Sequence, residues 1–238
     1  MKTKIICTIG PATESPEMIE KLIENGMNVA RLNFSHDTHE NHGQRIKSIR
    51  EIAKKLDKEV QILCDLQGPK IRIRNFDNPP RLLVNGEKVV FTTSACKAIE
   101  PGEIVIEDPY LHSDVKPNDL ILIDDGLLEL IVDSVSSHKI HSTVVNGGEL
   151  YPRKGVNLPL TETTTSSLTE KDIDDLNFIL TQEPDWIAIS FVQNAKDVSQ
   201  LRKLMGDSRA KVMCKIELAK AVENLSQIIF ESDGIMVA

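Results

Sequence analysis

The apolar positions along this chain follow two rhythms. Residues 5–9 form a short apolar run closed by Gly10-Pro11, which predicts a strand and then a turn. Ser15-Pro16 predicts a helix start, with Ser as N-cap and Pro in the first turn. Met18, Ile19, Leu22 and Ile23 supply its stripe, and Gly26 ends it. Residues 27–32 predict a second strand, 33–39 a polar loop, and Ile46, Ile49, Ala53 and Leu56 one face of a second helix. Residues 60–64 predict a third strand. Strands recurring roughly every 25–35 residues with helices between them imply a parallel sheet built from βαβ units.

After Asp65 the rhythm changes. Short alternating segments at 70–74, 81–84, 88–92, 103–106, 120–123, 127–132 and 140–145 are separated by turn signals at Asn85-Gly86, Asp125-Gly126 and Asn146-Gly147-Gly148. They predict a small all-β domain inserted after the third strand. Helical spacing resumes at Thr169, where Asp172 completes a capping pattern and Ile173, Leu176, Ile179 and Leu180 form the stripe. A strand at 186–191, a helix at 197–205, a strand at 211–216, a helix marked by Ala219, Val222, Leu225, Ile228 and Ile229, and a sixth strand at 233–238 follow. The predicted organisation is α/β. A TIM-type (β/α)8 barrel, truncated at its sixth strand, occupies 1–68 and 164–238, and a small β-barrel domain occupies 69–163. One-to-one alternation without a Gly-x-Gly-x-x-Gly motif favours a barrel over a doubly wound sheet, the structural alternative.

Composition narrows the partners. A formal net charge of −8 argues against binding a nucleic-acid backbone or a membrane surface. No apolar run reaches the ~18–20 residues of a membrane span, and the N-terminus carries no signal-peptide core. Cys7, Cys64, Cys96 and Cys214 lack Cys-x-x-Cys spacing and read as reduced thiols of a cytoplasmic protein.

Chemistry-bearing residues gather just past the predicted strand ends. Arg31, Asn33, Ser35 and His36 follow the second strand. Asp65, Gln67, Lys70 and Arg72 lie at or after the third, and Ser190 closes the fourth. In residues 211–217, Lys-Val-Met-Cys-Lys-Ile-Glu, strand alternation puts Met213, Lys215 and Glu217 on one face. Taken alone, Lys215 and Glu217 read as a surface ion pair, and Asn33 and Ser35 as helix caps. Together the four loops place several cations around one or two carboxylates on the face where barrel enzymes build their sites. That set suits an anionic, phosphorylated substrate held partly through a divalent metal.

Segments 4–12 (Lys-Ile-Ile-Cys-Thr-Ile-Gly-Pro-Ala), 30–36 (Ala-Arg-Leu-Asn-Phe-Ser-His), 65–72 (Asp-Leu-Gln-Gly-Pro-Lys-Ile-Arg) and 154–159 (Lys-Gly-Val-Asn-Leu-Pro) resemble the pyruvate kinases. So do 189–192, 214–217 and 232–238, in the same order along the chain. The resemblance implies transfer of a phosphoryl group from phosphoenolpyruvate to ADP, giving pyruvate and ATP in glycolysis. It implies Lys215 as the catalytic lysine, Arg31 as a substrate contact and Glu217 as a ligand of Mg2+ or Mn2+. Asn33, Ser35, Asp65 and the Leu66 carbonyl match the K+ ligands. Asn33, His36, Arg72 and Lys154 match nucleotide contacts, the last two carried by a lid that closes over the nucleotide. A cytoplasmic homotetramer is implied for the full-length form.

Two departures stand out. Where many family members have Thr-Lys-Gly-Pro-Glu, this chain has Leu66-Gln67-Gly68-Pro69-Lys70. The version with lysine resembles members that work without K+, an ammonium supplying the missing positive charge. Asp37 replaces the glycine usual after Asn-Phe-Ser-His. Family members also continue past residue 238 with Arg-Gly-Asp-Leu-Gly, which brings the metal's second carboxylate, and then with strands seven and eight and a regulatory domain. The expectations are therefore an incomplete pyruvate kinase, inactive as this piece alone, or a non-catalytic remnant that binds phosphorylated ligands or a partner chain. A different phosphoenolpyruvate- or oxaloacetate-handling barrel fits the lid and the Asn-Phe-Ser-His segment less well.

Overall fold

The computed structural model describes residues 3–74, 76, 80–96, 99–159, 161 and 165–237. The sequence-based domain limit at Thr163 and the strand end at Ala238 lie outside the described residues. The chain divides into two compact units, one formed by Met1–Pro69 with Ser167–Ala238 and the other by Lys70–Ser166.

The first unit runs β1 (Ile5–Thr8), α1 (Pro16–Glu24), β2 (Met27–Asn33), α2 (His39–Lys55) and β3 (Gln61–Asp65). Past the second unit's β4–β11 and α3 it resumes with α4 (Glu170–Thr181), β12 (Trp186–Ile189), α5 (Ala195–Met205), β13 (Lys211–Ile216), α6 (Ala219–Glu223), α7 (Leu225–Glu231) and β14 (Gly234–Val237). Among the described residues, its strands form one sheet in the order β1-β2-β3-β12-β13-β14, every neighbouring pair parallel. Strand order follows chain order without a reversal. A doubly wound sheet must reverse at its switch point, so this is the curled sheet of a TIM-type barrel.

Local sequence explains the helix starts. The Ser15 side chain accepts from Met18 N with Pro in the first turn, and Thr38 caps α2 through Asn41 N. Thr169 and Asp172 form a reciprocal capping box on α4. Asn194 and Asp197 form another on α5, so that helix begins at Ala195, two residues before the expected start at Asp197, which is its capping partner. The helix expected across 219–229 is two short ones broken at Asn224, which leaves Val222 and Ile229 exposed. The strand expected to 191 stops at Ile189, because Phe191 takes a positive φ of 54°.

Period-2 alternation sorts the strand residues onto two faces. Ala30, Leu32, Ile62, Cys64, Ile187, Ile189, Val212 and Cys214 pack with helix residues such as Ile19, Ile46, Leu176 and Leu201 in the large core. The other face carries Val29, Leu63 and Ala188, with Trp186, Met213 and Met236 against them. This small apolar layer is the barrel interior, and it sets the height at which the next side chain on each strand emerges.

The second unit contains β4 (Arg81–Leu83), β5 (Lys88–Thr93), β6 (Ile104–Ile106), α3 (Leu111–Asp114), β7 (Leu120–Ile123), β8 (Leu128–Ser136), β9 (Lys139–Asn146), β10 (Gly148–Leu150) and β11 (Val156–Asn157). Its main sheet runs β11-β7-β8-β9-β5-β6, and β4 pairs with β10 in a ribbon. The strand expected at 70–74 is reduced to single bridges, Arg72 with Gly155 and Ile73 with Ile106. Those bridges join the β11 end of the sheet to its β6 end, curling it around Ile73, Phe91, Ile121, Leu130 and Ile140.

Candidate functional site

One residue-pair further along each interior strand face, the apolar layer gives way to polar side chains. Arg31 follows Val29, Asp65 follows Leu63, Ser190 follows Ala188 and Lys215 follows Met213, each two positions on. Register staggers them along the sheet: Arg31 pairs with Leu63, Asn33 with Asp65 and Asp65 with Ala188, while Ala188 pairs with Met213 so that Ser190 and Lys215 run level. The sheet therefore delivers a cation, a carboxylate, a hydroxyl and a second cation to the carboxyl ends of adjacent strands.

These groups bond to one another. Arg31 Nε donates to Asp65 Oδ2 at 2.8 Å, its Nη2 donates to the same oxygen, and its Nη1 donates to Thr8 Oγ1 at 2.9 Å. Lys215 Nζ lies 3.4 Å from Asp65 Oδ1 and 3.3 Å from Glu217 Oε1, and donates to Ser190 Oγ at 2.8 Å. Ser190 Oγ in turn donates to the Leu66 carbonyl at 2.7 Å, and Phe191 N donates to Glu217 Oε2 at 2.9 Å. Asp65 is 1% exposed and Lys215 12%. Charges this shielded from water interact more strongly than the same pair on a surface. The surface reading of Lys215 and Glu217 is thereby replaced.

Each cation in this layer already faces a carboxylate, and the four charges sum to zero. Asp65 Oδ1 is buried and accepts no hydrogen bond. Arg31 saturates the other carboxylate oxygen, so the one turned toward Lys215 keeps lone pairs to offer a cation. The donors at hand, carboxylates of Asp65 and Glu217, the Asn33 amide oxygen and the Ser35 hydroxyl, are all hard oxygens. Such a set fits Mg2+, Mn2+ or K+ better than a softer metal.

Loops around the layer are held from behind. Asn33 Oδ1 accepts from Ser35 N at 3.1 Å, and Phe34 N donates to Asp65 O at 2.9 Å. Lys171 Nζ bridges Phe34 O at 2.7 Å and Asp175 Oδ2 at 2.6 Å, while His39 Nε2 pairs with Asp175 Oδ1 at 2.7 Å. Asp37 adopts φ 75° and bonds Thr38 N, the Asn41 amide and Arg45, which also grips Glu14. The Asn41 amide first, then the Thr38 N–H and Arg45, hold the Asp37 carboxyl down to about 2. His36 itself is exposed.

On the other side of Asp65, Gly68 turns with φ 69° and its N–H donates to Asp172 Oδ1 at 3.0 Å. The second oxygen of Asp172, a fully buried residue, takes Thr169 N at 2.9 Å and Thr169 Oγ1 at 2.6 Å. A Cβ on Gly68 would lie 2.9 Å from both Phe191 Cδ2 and Ser190 Cβ. A bulky residue at positive φ, as Phe191 is, stores about 1–3 kcal/mol of strain.

The sequence-based candidates thus divide in two. Arg31, Asn33, Ser35, Asp65, Leu66, Lys215 and Glu217 come together in the first unit. Lys70, Arg72 and Lys154 belong to the second unit. There Arg72 Nη1 donates to Arg153 O at 3.0 Å, Lys154 Nζ pairs with Asp124 Oδ2 at 2.9 Å, and Ile73 N donates to Lys154 O at 2.9 Å. Lys70 is exposed, its Cε 3.6 Å from where a Cβ on Gly155 would stand. Sequence reasoning gave Ser190 no role and left out Thr8 and the Phe191 N–H. For Ser190 the signal was present: a hydroxyl two positions after an interior alanine, on the face that carries Lys215 one strand over.

The family described as "Pyruvate kinase, barrel domain" matches residues 1–238. The pyruvate kinases of Staphylococcus aureus strains USA300 and NCTC 8325 are each 44% identical to this chain over 241 aligned residues. The alignment takes in 100% of this chain and 41% of each relative, so the chain spans about two fifths of their length. The sequential parallel sheet and the full-length match lead to one assignment: the chain belongs to the pyruvate kinase family.

Proposed function

We propose that this chain supplies the reacting centre of an enzyme that moves a phosphoryl group from phosphoenolpyruvate to ADP, giving pyruvate and ATP in glycolysis. The observation that carries the reading is the buried layer in which Arg31 and Lys215 flank Asp65, whose Oδ1 accepts no hydrogen bond. Phosphoryl transfer depends mainly on positioning and on neutralising charge. In this reading Arg31 and Lys215 present their positive charge to the phosphoryl oxygens. Lys215 then faces the enolate oxygen as negative charge develops there, when its ammonium is worth most.

A divalent ion, Mg2+ or Mn2+, would supply further positive charge to the same oxygens when bound. Glu217 would hold it, oriented by the Phe191 N–H. Asn33, Ser35, Asp65 and the Leu66 carbonyl would hold a monovalent ion. Lys70 supports the proposal that K+ is dispensable. Asn33, His36, Arg72 and Lys154 are proposed to contact the nucleotide. By kinship, the longer protein is proposed to assemble as a cytoplasmic homotetramer.

The test is a lactate-dehydrogenase-coupled assay of the full-length protein with phosphoenolpyruvate, ADP and Mg2+, in buffer free of sodium and potassium. Pyruvate formation is expected, and the 238-residue chain alone is expected to turn over negligibly. A full-length protein that forms pyruvate only once K+ is added would overturn the K+ proposal, and one that binds phosphoenolpyruvate but forms no pyruvate even with K+ present would point to the remnant reading.

A further inference from the structure

The end of β12 touches both members of the Lys215–Glu217 pair, and it does so with a strained backbone. Ser190 is 1% exposed, and its hydroxyl sits between two groups of the site. It accepts from Lys215 Nζ at 2.8 Å and donates to the Leu66 carbonyl at 2.7 Å. The next residue, Phe191, turns to φ 54°, and its N–H donates to Glu217 Oε2 at 2.9 Å. Had β12 continued in extended conformation, that N–H would not keep this direction. Gly68 leaves the space this corner occupies, since a Cβ there would stand 2.9 Å from Ser190 Cβ and from Phe191 Cδ2.

We infer that Ser190 and the Phe191 N–H form a positioning corner that orients Lys215 and Glu217 relative to each other. Three features carry the inference. First, Lys215 has two carboxylates at 3.3–3.4 Å and one neutral acceptor at 2.8 Å, so its shortest bond is to Ser190. A flexible ammonium between two carboxylates has no unique resting place, and a directional hydroxyl selects one. Second, the hydroxyl has a single proton, which goes to the Leu66 carbonyl, so its lone pairs stay turned to the ammonium. Third, the Phe191 N–H takes one oxygen of Glu217 and leaves the other on the Lys215 side. Ser190 is thus a positioning residue acting through Lys215. Its kinetic consequence rests on the phosphoryl-transfer reading above; the positioning itself does not.

The test has two NMR arms on the 238-residue chain and one kinetic arm on the full-length protein. Ser190→Ala removes the hydroxyl without adding volume. The order parameter of the Lys215 Cε–Nζ bond, measured by relaxation, is expected to fall to the level of the exposed lysines. Glu217→Ala is expected to speed exchange of the Phe191 amide by about tenfold or more, with the thermal midpoint unchanged. This second arm stands even where Ser190→Ala fails to fold. In the kinetic arm, Ser190→Ala lowers kcat by about tenfold to hundredfold and leaves KM for phosphoenolpyruvate within about threefold.

A Lys215 order parameter unmoved by Ser190→Ala, or a Phe191 amide unmoved by Glu217→Ala, overturns the inference. A full-length protein without turnover sinks the functional reading instead, and the two NMR arms still decide this one.

Discussion

Replacing Gly68 by alanine strikes the corner on which the polar layer rests. Gly68 takes φ 69°, in the left-handed region where a Cβ meets the following carbonyl. For an L-residue that conformation costs about 1–2 kcal/mol. The new Cβ would also stand 2.9 Å from Ser190 Cβ and Phe191 Cδ2 and 3.3 Å from Ser190 O. Phe191 has χ freedom, but Ser190 Cβ and O are fixed to the backbone of a buried residue. Overpacking of this kind adds about 1–3 kcal/mol.

The two contributions come to roughly 2–5 kcal/mol. For a unit of this size that is a fall in thermal midpoint of roughly 5–15 °C. Trp186 is the chain's one tryptophan and lies in the first unit, so its fluorescence reports the affected unit directly. Gly10→Ala is the control, since nothing stands within 4 Å of its Cβ position. It is expected to change stability by less than about 0.5 kcal/mol. A Gly68→Ala midpoint within about 2 °C of wild type would refute the tight-corner argument, because neither the backbone nor the contact penalty would then be present.

Three further outcomes follow from the same geometry. Asp172→Ala strips the acceptor from the Gly68 and Thr169 N–H groups and should destabilise the chain by about 2–4 kcal/mol in urea titrations; a loss under about 1 kcal/mol would contradict the burial and capping argument. Asp37 is held to about 2 in the folded chain against an ordinary 3.8, so its contribution is fully present above pH 3.8 and is lost as pH falls through about 2. Because the group is exposed, Asp37→Asn should cost under about 1 kcal/mol at pH 7, and the gap to wild type should close in denaturant titrations taken down to pH 2. Burial pushes the Cys64 thiol up to about 12 and the Cys214 thiol up to about 11, so Cys7 and Cys96, both partly exposed, should react first with a thiol reagent at pH 8; early labelling of Cys64 would contradict its burial.

The barrel strands were legible because each is a short apolar run with a helix stripe after it, as around Ile19 and Ile46. The polar layer was legible as residue types at strand ends, though its height was not. That height depends on register, which pairs Asn33 with Asp65 and Asp65 with Ala188, and no local pattern fixes register between parallel strands. The end of β12 was misread for a related reason. Ser190 and Phe191 are apolar-run neighbours by composition, yet the backbone turns at Phe191, held by Glu217 from a different strand. At 219–229, a stripe that looked continuous breaks at Asn224, whose side chain donates to Gln193 O at 2.9 Å. In the second unit, residues 70–74 alternate like a strand, and their backbone serves both sheet ends: Ile71 O and Ile73 bond to residues 153–156, and Arg72 O and Arg74 N to residues 105–107.

Under the proposed function, Lys215, fixed between Asp65, Ser190 and Glu217, stabilises charge that develops during phosphoryl transfer. Turnover of the full-length protein with Lys215→Met tests it most directly. The expected result is a kcat lowered by about 10²–10³-fold with the thermal midpoint and phosphoenolpyruvate binding near wild type. A kcat within about threefold of wild type would contradict it.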